Sequence, residues 1–375
     1  MNRQSEPVLK FCGVTLLAFC ALSARTLQAQ LSGTAGQAFP AGRPVRIRPP
    51  LGLPPIEFPP DNPPTRETIA LGRRLFYDPI LSSDGMIACA SCHDPEKGFT
   101  DHKGVSTGIR QQTGTRSAPT VLNSVYYRSL FWDGRAGNLE TQAEGPITNP
   151  IEMGNTPEVV VRRLHETPSY REDFKKAWGG DEITFEMVRK SLASFERTLV
   201  VGDSPFDRYY YGGDRKALSP SARRGFKVFM DRRRGDCAGC HAIGKGYALF
   251  TDQKFHNIGI GANTDGSLAD PGRYAETKND ADMGSFRTPG LRNAAWTAPY
   301  MHDGSVPTLK DVIDHYIGGG NANPHLDKQI HVLDFLSGQE RGDLLEFLNS
   351  LTGPMPANVG PPVDMQKPSA VQAQK

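Results

Sequence analysis

The most reactive side chains of this chain occur in two copies of the pattern Cys-x-x-Cys-His. The copies are Cys89-Ala90-Ser91-Cys92-His93 and Cys237-Ala238-Gly239-Cys240-His241. Two cysteines at this spacing can form thioether bonds with the two vinyl groups of one haem, and the histidine can bind its iron. A redox dithiol does not require the histidine, and a zinc site would leave the duplication unexplained. The pattern therefore predicts two covalently bound c-type haems.

The N-terminus is typical of a cleaved secretory signal. A positively charged start precedes an apolar run at residues 11–22, which is too short to span a bilayer. Cleavage after Ala29 would also remove Cys12 and Cys20, which leaves no cysteine for a structural disulfide. We therefore predict that residues 1–29 are a signal peptide and that the mature protein is periplasmic, without a membrane span.

Charge and helix signals bound the fold and the partners. The chain has 43 Lys and Arg against 41 Asp and Glu, and no long basic run, so nucleic acid is excluded as an expected partner. Strand alternation is weak, and we predict a mainly α fold. Helices are predicted to begin after Thr65, Thr156, Thr184 and Ser219, to cover most of Pro307–Gly318, and to include Leu344–Leu351.

An internal repeat indicates two related domains. Six residues recur 170 positions later in one register: Gly114, Pro119, Asn123, Asp133, Gly134 and Leu139 correspond to Gly284, Pro289, Asn293, Asp303, Gly304 and Leu309. We predict two cytochrome c-like haem domains related by duplication, at residues 65–215 and 216–352. A Pro-rich arm, residues 30–64, precedes them, and a flexible tail, residues 353–375, follows.

The side chain opposite each proximal histidine decides what a haem does. A sixth position filled by protein favours electron transfer, whereas an open one can bind peroxide. Tyr316 shares an apolar helix face with Leu309, Val312 and Ile313 and could reach the second iron. Geometry alone favours an ordinary core tyrosine at this position, and His315 and Met301 are rival ligands.

Further motifs resemble the bacterial di-haem cytochrome c peroxidase and MauG superfamily. Besides the two haem motifs, they are Ala118–Asn123, Phe131–Arg135, Gly145–Ile147 and Thr297–Tyr300. The resemblance covers roughly residues 65–352. It implies a peroxidatic first haem and an electron-transfer second haem.

The resemblance also assigns positions around both irons. Tyr316 matches the second-haem axial position, which is methionine in the classical peroxidases and tyrosine in MauG-like members. Ile109 stands where classical members often carry a displaceable distal histidine, and His102 lies nearby but not at that place. The resemblance therefore implies a first haem that is open at rest.

Five further roles follow from the resemblance. Glu152 and Gln142 match the acid and the amide above the first haem, and Trp132 matches the tryptophan between the haems. Thr297 and Pro299 match carbonyl donors to a calcium ion. Ser117 replaces the usual asparagine donor to calcium, which weakens the expectation of tight calcium binding. His302 matches a structural histidine near a haem edge.

Three functions are compatible with these residues. The first is a peroxidase that reduces hydrogen peroxide with electrons from a periplasmic donor, a small cytochrome or a copper protein. The second is a MauG-like enzyme that oxidises a side chain of a partner protein. The third is a di-haem cytochrome that only transfers electrons, which would require two six-coordinate haems.

Overall fold

Helices are the main regular elements of the structure, a computed structural model that describes residues 38–365. The α-helices are α1 (Arg66–Tyr77), α2 (Cys89–Cys92), α3 (Leu139–Thr148), α4 (Pro157–Glu166), α5 (Pro168–Trp178), α6 (Phe185–Glu196), α7 (Pro205–Tyr210), α8 (Pro220–Met230), α9 (Tyr274–Thr277), α10 (Leu309–Ile317) and α11 (Gly338–Asn349). Single 3-10 turns lie at Pro79–Leu81, Pro95–Lys97, Ile109–Gln111, Ser124–Tyr126, Cys237–Gly239, Asp280–Asp282, Ala294–Trp296 and Val363–Met365. The strands β1 (Phe255–His256) and β2 (Phe286–Arg287) pair antiparallel. The mainly helical fold is confirmed. The predicted signal peptide lies outside the described residues.

Polar N-cap side chains set where the helices begin. Thr65, Thr156, Thr184 and Ser219 each accept a hydrogen bond from the backbone N–H three residues further on. Such a bond satisfies one of the N–H groups that the first helical turn leaves without a partner. These four predicted helix starts are therefore confirmed.

Two helix pairs cross at glycines that allow close backbone contact. A Cβ on Gly72 of α1 would lie 1.8 Å from the carbonyl oxygen of Ser191 in α6. A Cβ on Gly225 of α8 would lie 1.9 Å from the carbonyl oxygen of Asp343 in α11. We call residues 65–215 the first half and residues 216–352 the second half, and one such pair lies in each.

Aromatic clusters form much of the core. In the first half, Phe76 makes edge contacts with Phe99 and Phe195. In the second, Phe347 lies against Phe206 of α7, which is fully buried. Helix α7 therefore packs on second-half residues, and the boundary between the two haem domains stays a prediction.

The same asparagine turn occurs in both halves. Asn123 and Asn293 adopt left-handed φ values of 62° and 57°. The Asn123 side chain donates to the Val201 carbonyl (3.1 Å) and accepts from its N–H (2.9 Å). Asn293 binds Gly353 in the same way, at 2.9 and 3.1 Å. Asn123 thereby anchors the chain just after α6, and Asn293 anchors the chain just after α11.

The described segments before α1 and after α11 contact the helical body. In the arm, the Gly52 carbonyl accepts hydrogen bonds from Ala248 (3.1 Å) and Arg292 (2.7 Å) of the second half. After α11, the carbonyl of Val359 accepts from the Tyr77 hydroxyl of α1 at 2.6 Å. Among the described residues, those from Pro40 to Met365 belong to one compact unit.

Candidate active site

The first Cys-x-x-Cys-His copy forms α2 and its C-cap, so its cysteines lie one helical turn apart. His93 ends the helix, and its Nδ1 lies 3.2 Å from the carbonyl oxygen of Phe99. A backbone carbonyl at Nδ1 favours the tautomer with the proton there. The Nε2 atom is then available to bind a metal.

The second copy forms a 3-10 turn at Cys237–Gly239 and repeats this arrangement. The Nδ1 atom of His241 lies 2.8 Å from the carbonyl oxygen of Phe250. Burial lowers the pKa of both His93 and His241. The neutral imidazole that results is the form that binds metals.

The residues at each copy fit a c-type haem. Among the described residues, all four cysteines are unpaired thiols. Each motif therefore offers two thiols for covalent attachment and one neutral, oriented imidazole for the iron. No rearrangement of a disulfide is required.

Glu152 lies close to the first motif, and the backbone at Gly108 and Ile109 holds the turn that carries it. Burial raises the pKa of the Cys92 thiol, and the nearby Glu152 carboxylate raises it further. The Ile109 N–H donates to the Glu152 carbonyl at 2.8 Å. A Cβ on Gly108 would lie 2.0 Å from the Ile151 carbonyl oxygen, so only glycine allows this approach. The turn that carries the carboxylate is therefore fixed by the segment that contains Ile109.

The environment of Glu152 keeps it protonated at higher pH than an ordinary carboxyl. Burial raises its pKa, while the charge of Arg135 and a hydrogen bond from Asn149 lower it less. A carboxyl with a raised pKa can both hold and release a proton during a reaction. Gln142, on the second turn of α3, is half-buried, and its side chain makes no hydrogen bond within residues 38–365.

The ring of His102 is hydrogen-bonded to the second half. Its Nε2 lies 2.7 Å from the carbonyl oxygen of Trp296, and the residue is exposed. Ile109, at the position of the distal histidine, is buried instead, with 3% of its surface exposed.

Tyr316 and His315 lie side by side on α10 but have different surroundings. Burial raises the pKa of Tyr316, and the neighbouring Cys240 and Cys237 raise it further, which places the phenol beside the second motif. The Nε2 atom of His315 lies 3.0 Å from the carbonyl oxygen of Ile258. Met301 is half-buried, and its backbone is left-handed with a φ of 76°.

Trp132 takes part in a reciprocal pair of hydrogen bonds between the halves. The Arg287 N–H donates to the Trp132 carbonyl at 2.8 Å. The Ser117 N–H donates to the His302 carbonyl at 2.7 Å. The Trp132 indole N–H also donates to the Ser117 carbonyl at 2.8 Å. Ser117 and Arg287 occupy matching repeat positions, as do Trp132 and His302. Each half thus donates one backbone hydrogen bond to the other, and Trp132 lies at the junction.

The three residues predicted to bind calcium lie on loops. Ser117 is buried, and its carbonyl already accepts from Trp132. Thr297 follows the Ala294–Trp296 turn, and a cis peptide bond joins Ala298 to Pro299. No hydrogen bond joins Ser117 to Thr297 or Pro299 in the described chain, and calcium binding stays a prediction.

The comparisons with known proteins agree with this geometry. A sequence model of the family described as di-haem cytochrome c peroxidase matches residues 66–216. The methylamine utilization protein MauG of Methylorubrum extorquens is 40% identical over 308 residues, covering 82% of this chain and 83% of that protein. The chain belongs to the di-haem cytochrome c peroxidase family.

Other members of the di-haem cytochrome c peroxidase family are similarly close. The cytochrome c551 peroxidase of Pseudomonas aeruginosa is 39% identical over 291 residues, covering 76% of this chain and 79% of that protein. A crystal structure of a MauG-like protein associated with microbial copper homeostasis is similar with a TM-score of 0.74 and 35% identity, covering 81% of this chain and 94% of the other. The resemblance seen in the sequence is confirmed.

Membership of the di-haem cytochrome c peroxidase family establishes the cofactors. They are two covalently bound c-type haems, as predicted. In the described part of the chain, no helix is both long and apolar enough to cross a membrane.

Sequence reasoning missed a cluster beside the second motif. Atoms of Cys240, Asp252 and His256 that could bind a metal lie within 4.8 Å of one another. His256 also contacts Asp327 at 2.5 Å, so two carboxylates flank its ring. Because Cys240 belongs to the haem motif, we read this cluster as support for that loop and not as a separate metal site. The signal available was the Phe-Thr-Asp triplet after each motif, at 99–101 and 250–252.

Proposed function

We propose that this chain is a periplasmic peroxidase that reduces hydrogen peroxide at a first haem and receives electrons through a second. Cys89, Cys92 and His93 hold the first haem, and Cys237, Cys240, His241 and Tyr316 hold the second. Two electrons and two protons convert each peroxide into two water molecules. The haems, when bound, supply the iron and the redox chemistry.

One observation carries the proposal: the two motifs have unlike surroundings. Beside the second motif, Tyr316 is available as a sixth ligand. Beside the first, the histidine position is Ile109, and His102 is hydrogen-bonded to Trp296. A site without a protein ligand opposite His93 is what peroxide binding needs.

Glu152 is proposed to move the proton. Cleavage of the O–O bond requires a proton on the leaving oxygen, and a carboxyl near bound peroxide can take a proton from one oxygen and give it to the other. The raised pKa of Glu152 suits both steps. The Gln142 amide, which has no partner of its own among the described residues, is proposed to orient peroxide by hydrogen bonding.

Trp132 is proposed to couple the two haems electronically. Its hydrogen bonds to Ser117 and Arg287 place it at the junction of the halves. An external donor, a small cytochrome or copper protein, would deliver electrons to the second haem. The matching asparagine turns and reciprocal hydrogen bonds support two haem domains that arose by duplication.

The experiment that tests this function compares Glu152→Gln with Glu158→Gln. Glu158 is an exposed glutamate in the first turn of α4, which makes it a matched control. Loss of a positioned proton carrier lowers rates by about a hundredfold or more. We expect peroxide consumption to fall by this factor in Glu152→Gln alone, with two haems per chain in every variant.

Two outcomes would contradict the proposal. Unchanged turnover in Glu152→Gln would remove Glu152 from the reaction. A wild-type protein with two haems and no reaction with peroxide would favour a cytochrome that only transfers electrons.

A second candidate function rests on Tyr316 and on the relatives' names. Tyrosine at this position is the MauG-like feature of the sequence, and MauG proteins are among the most similar relatives. In this alternative the chain would oxidise a side chain of a partner protein, and peroxide would accept the electrons. Peroxide-dependent modification of a co-purified protein, in the absence of a small electron donor, would favour it.

A further inference from the structure

Arg287 is a buried cation without an acidic partner. Only 4% of its surface is exposed. Its guanidinium lies over the Tyr127 ring at 3.9 Å, and Nη1 has one long contact, 3.4 Å, to the Thr288 carbonyl. Its Nε is buried and has no hydrogen-bond partner. No carboxylate lies within 4.0 Å of the guanidinium among residues 38–365.

Burial of an unpaired guanidinium is costly. A charged group in a protein interior is stable only with an opposite charge and satisfied hydrogen bonds. The other buried arginine of this region, Arg292, follows that rule and pairs with Asp207 at 2.7 Å. An anion supplied from outside the polypeptide would complete the Arg287 site.

The position of Arg287 identifies the class of anion. It pairs with Phe255 across β1 and β2, and the next residue of β1 is His256, which lies against Cys240 of the second motif. Its N–H binds the Trp132 carbonyl. A haem attached at Cys237 and Cys240 would carry two carboxylate groups that could supply this anion.

We propose that Arg287 binds a carboxylate of the haem attached at Cys237 and Cys240, which rests on the proposed function. Planar guanidinium and carboxylate groups form short, charge-assisted hydrogen bonds, and Nε is a donor in that geometry. A fixed positive charge there stabilises the reduced haem, which carries one positive charge fewer than the oxidised form. Arg287 thus connects the second haem to Trp132 and adjusts its tendency to accept an electron.

The test is a spectroscopic redox titration of the holoprotein with three variants. Arg287→Gln removes the charge, and Arg287→Lys keeps it. Arg273→Gln is the matched control, because Arg273 also lies over a ring at 3.9 Å, that of Phe255, but already contacts Asp282. Haem content is measured by the pyridine haemochrome assay.

We expect Arg287→Gln to keep two haems and to shift the one-electron equilibrium of the second haem roughly threefold to tenfold toward the oxidised form, where tenfold is about 59 mV. Arg287→Lys should recover most of the shift, and Arg273→Gln should match the wild type. Equal second-haem potentials in Arg287→Gln and Arg273→Gln would overturn the proposal.

A second measurement decides the matter if Arg287→Gln does not retain its haems. In a crystal structure of the wild-type holoprotein, a haem carboxylate oxygen should lie within about 3.2 Å of Nε. Water or an inorganic ion at Nε would overturn the proposal. Failure of the proposed function is distinguishable, because a wild type without peroxide turnover could still show the Arg287 effect on potential.

Discussion

At the scale of single residues, the adjacent His315 and Tyr316 of α10 are rival ligands of the second haem. Because the ring of His315 is held by the Ile258 carbonyl, we expect Tyr316→Phe to change the absorption spectrum of the second haem. His315→Gln should leave that spectrum unchanged. The measurement is the ferric spectrum of each purified variant. An altered spectrum in His315→Gln alone would assign the ligand to His315, and no change in either would point to Met301.

Glu196 gives a prediction about pH. This last residue of α6 is 6% exposed, and burial raises its pKa to about 8, helped by Glu140 and opposed by Arg197. The folded protein therefore holds this proton more tightly than the unfolded chain does. Stability should fall as the pH rises from the ordinary carboxyl range to about 8, by about 1.4 kcal/mol per unit of pKa displacement.

The check on Glu196 is thermal unfolding between pH 5 and 8. Glu196→Gln should flatten the decline seen in the wild type, because glutamine cannot ionise. The exposed control Glu158→Gln should retain the wild-type slope. Parallel slopes in all three proteins would contradict the assignment.

Residues that form a local pattern could be predicted from the sequence, and residues that act through distant contacts could not. The haem cysteines and their histidines occupy five consecutive positions, so their chemistry is visible in the chain. Arg287 occurs in no such pattern. Its importance follows from burial and from Tyr127, which lies far away in sequence.

At the scale of elements, the α1–α6 crossing depends on Gly72. A side chain there would meet the Ser191 carbonyl, so Gly72→Ala should lower the free energy of unfolding by roughly 1–3 kcal/mol. In Gly342→Ala, on α11, the added Cβ has open space, and stability should rise by up to about 1 kcal/mol. Urea unfolding measures both. Equal effects of the two changes would contradict close backbone contact at Gly72.

Helix starts could be predicted because caps are local, whereas crossings could not. Thr65, Thr156, Thr184 and Ser219 each bind a backbone N–H only three residues away, and the sequence places both partners. The contact between Gly72 and Ser191 joins distant positions. The sequence predicts the arm but not its partners, because Gly52 binds Ala248 and Arg292 far along the chain.

At the scale of the whole molecule, two similar halves are joined by reciprocal hydrogen bonds but surround their haem motifs differently. The repeat in the sequence predicts the similarity. The difference required the structure, because only there does His102 contact Trp296 and Tyr316 lie beside the second motif. Because the two sites differ, one half can reduce peroxide while the other half supplies the electrons.

Electron paramagnetic resonance of the fully oxidised protein tests this division most directly. We predict one high-spin ferric signal, from a haem without a sixth protein ligand, and one low-spin signal of equal intensity. Peroxide should abolish the high-spin signal within the mixing time at micromolar protein. Two low-spin signals at rest, with no change on adding peroxide, would contradict the account.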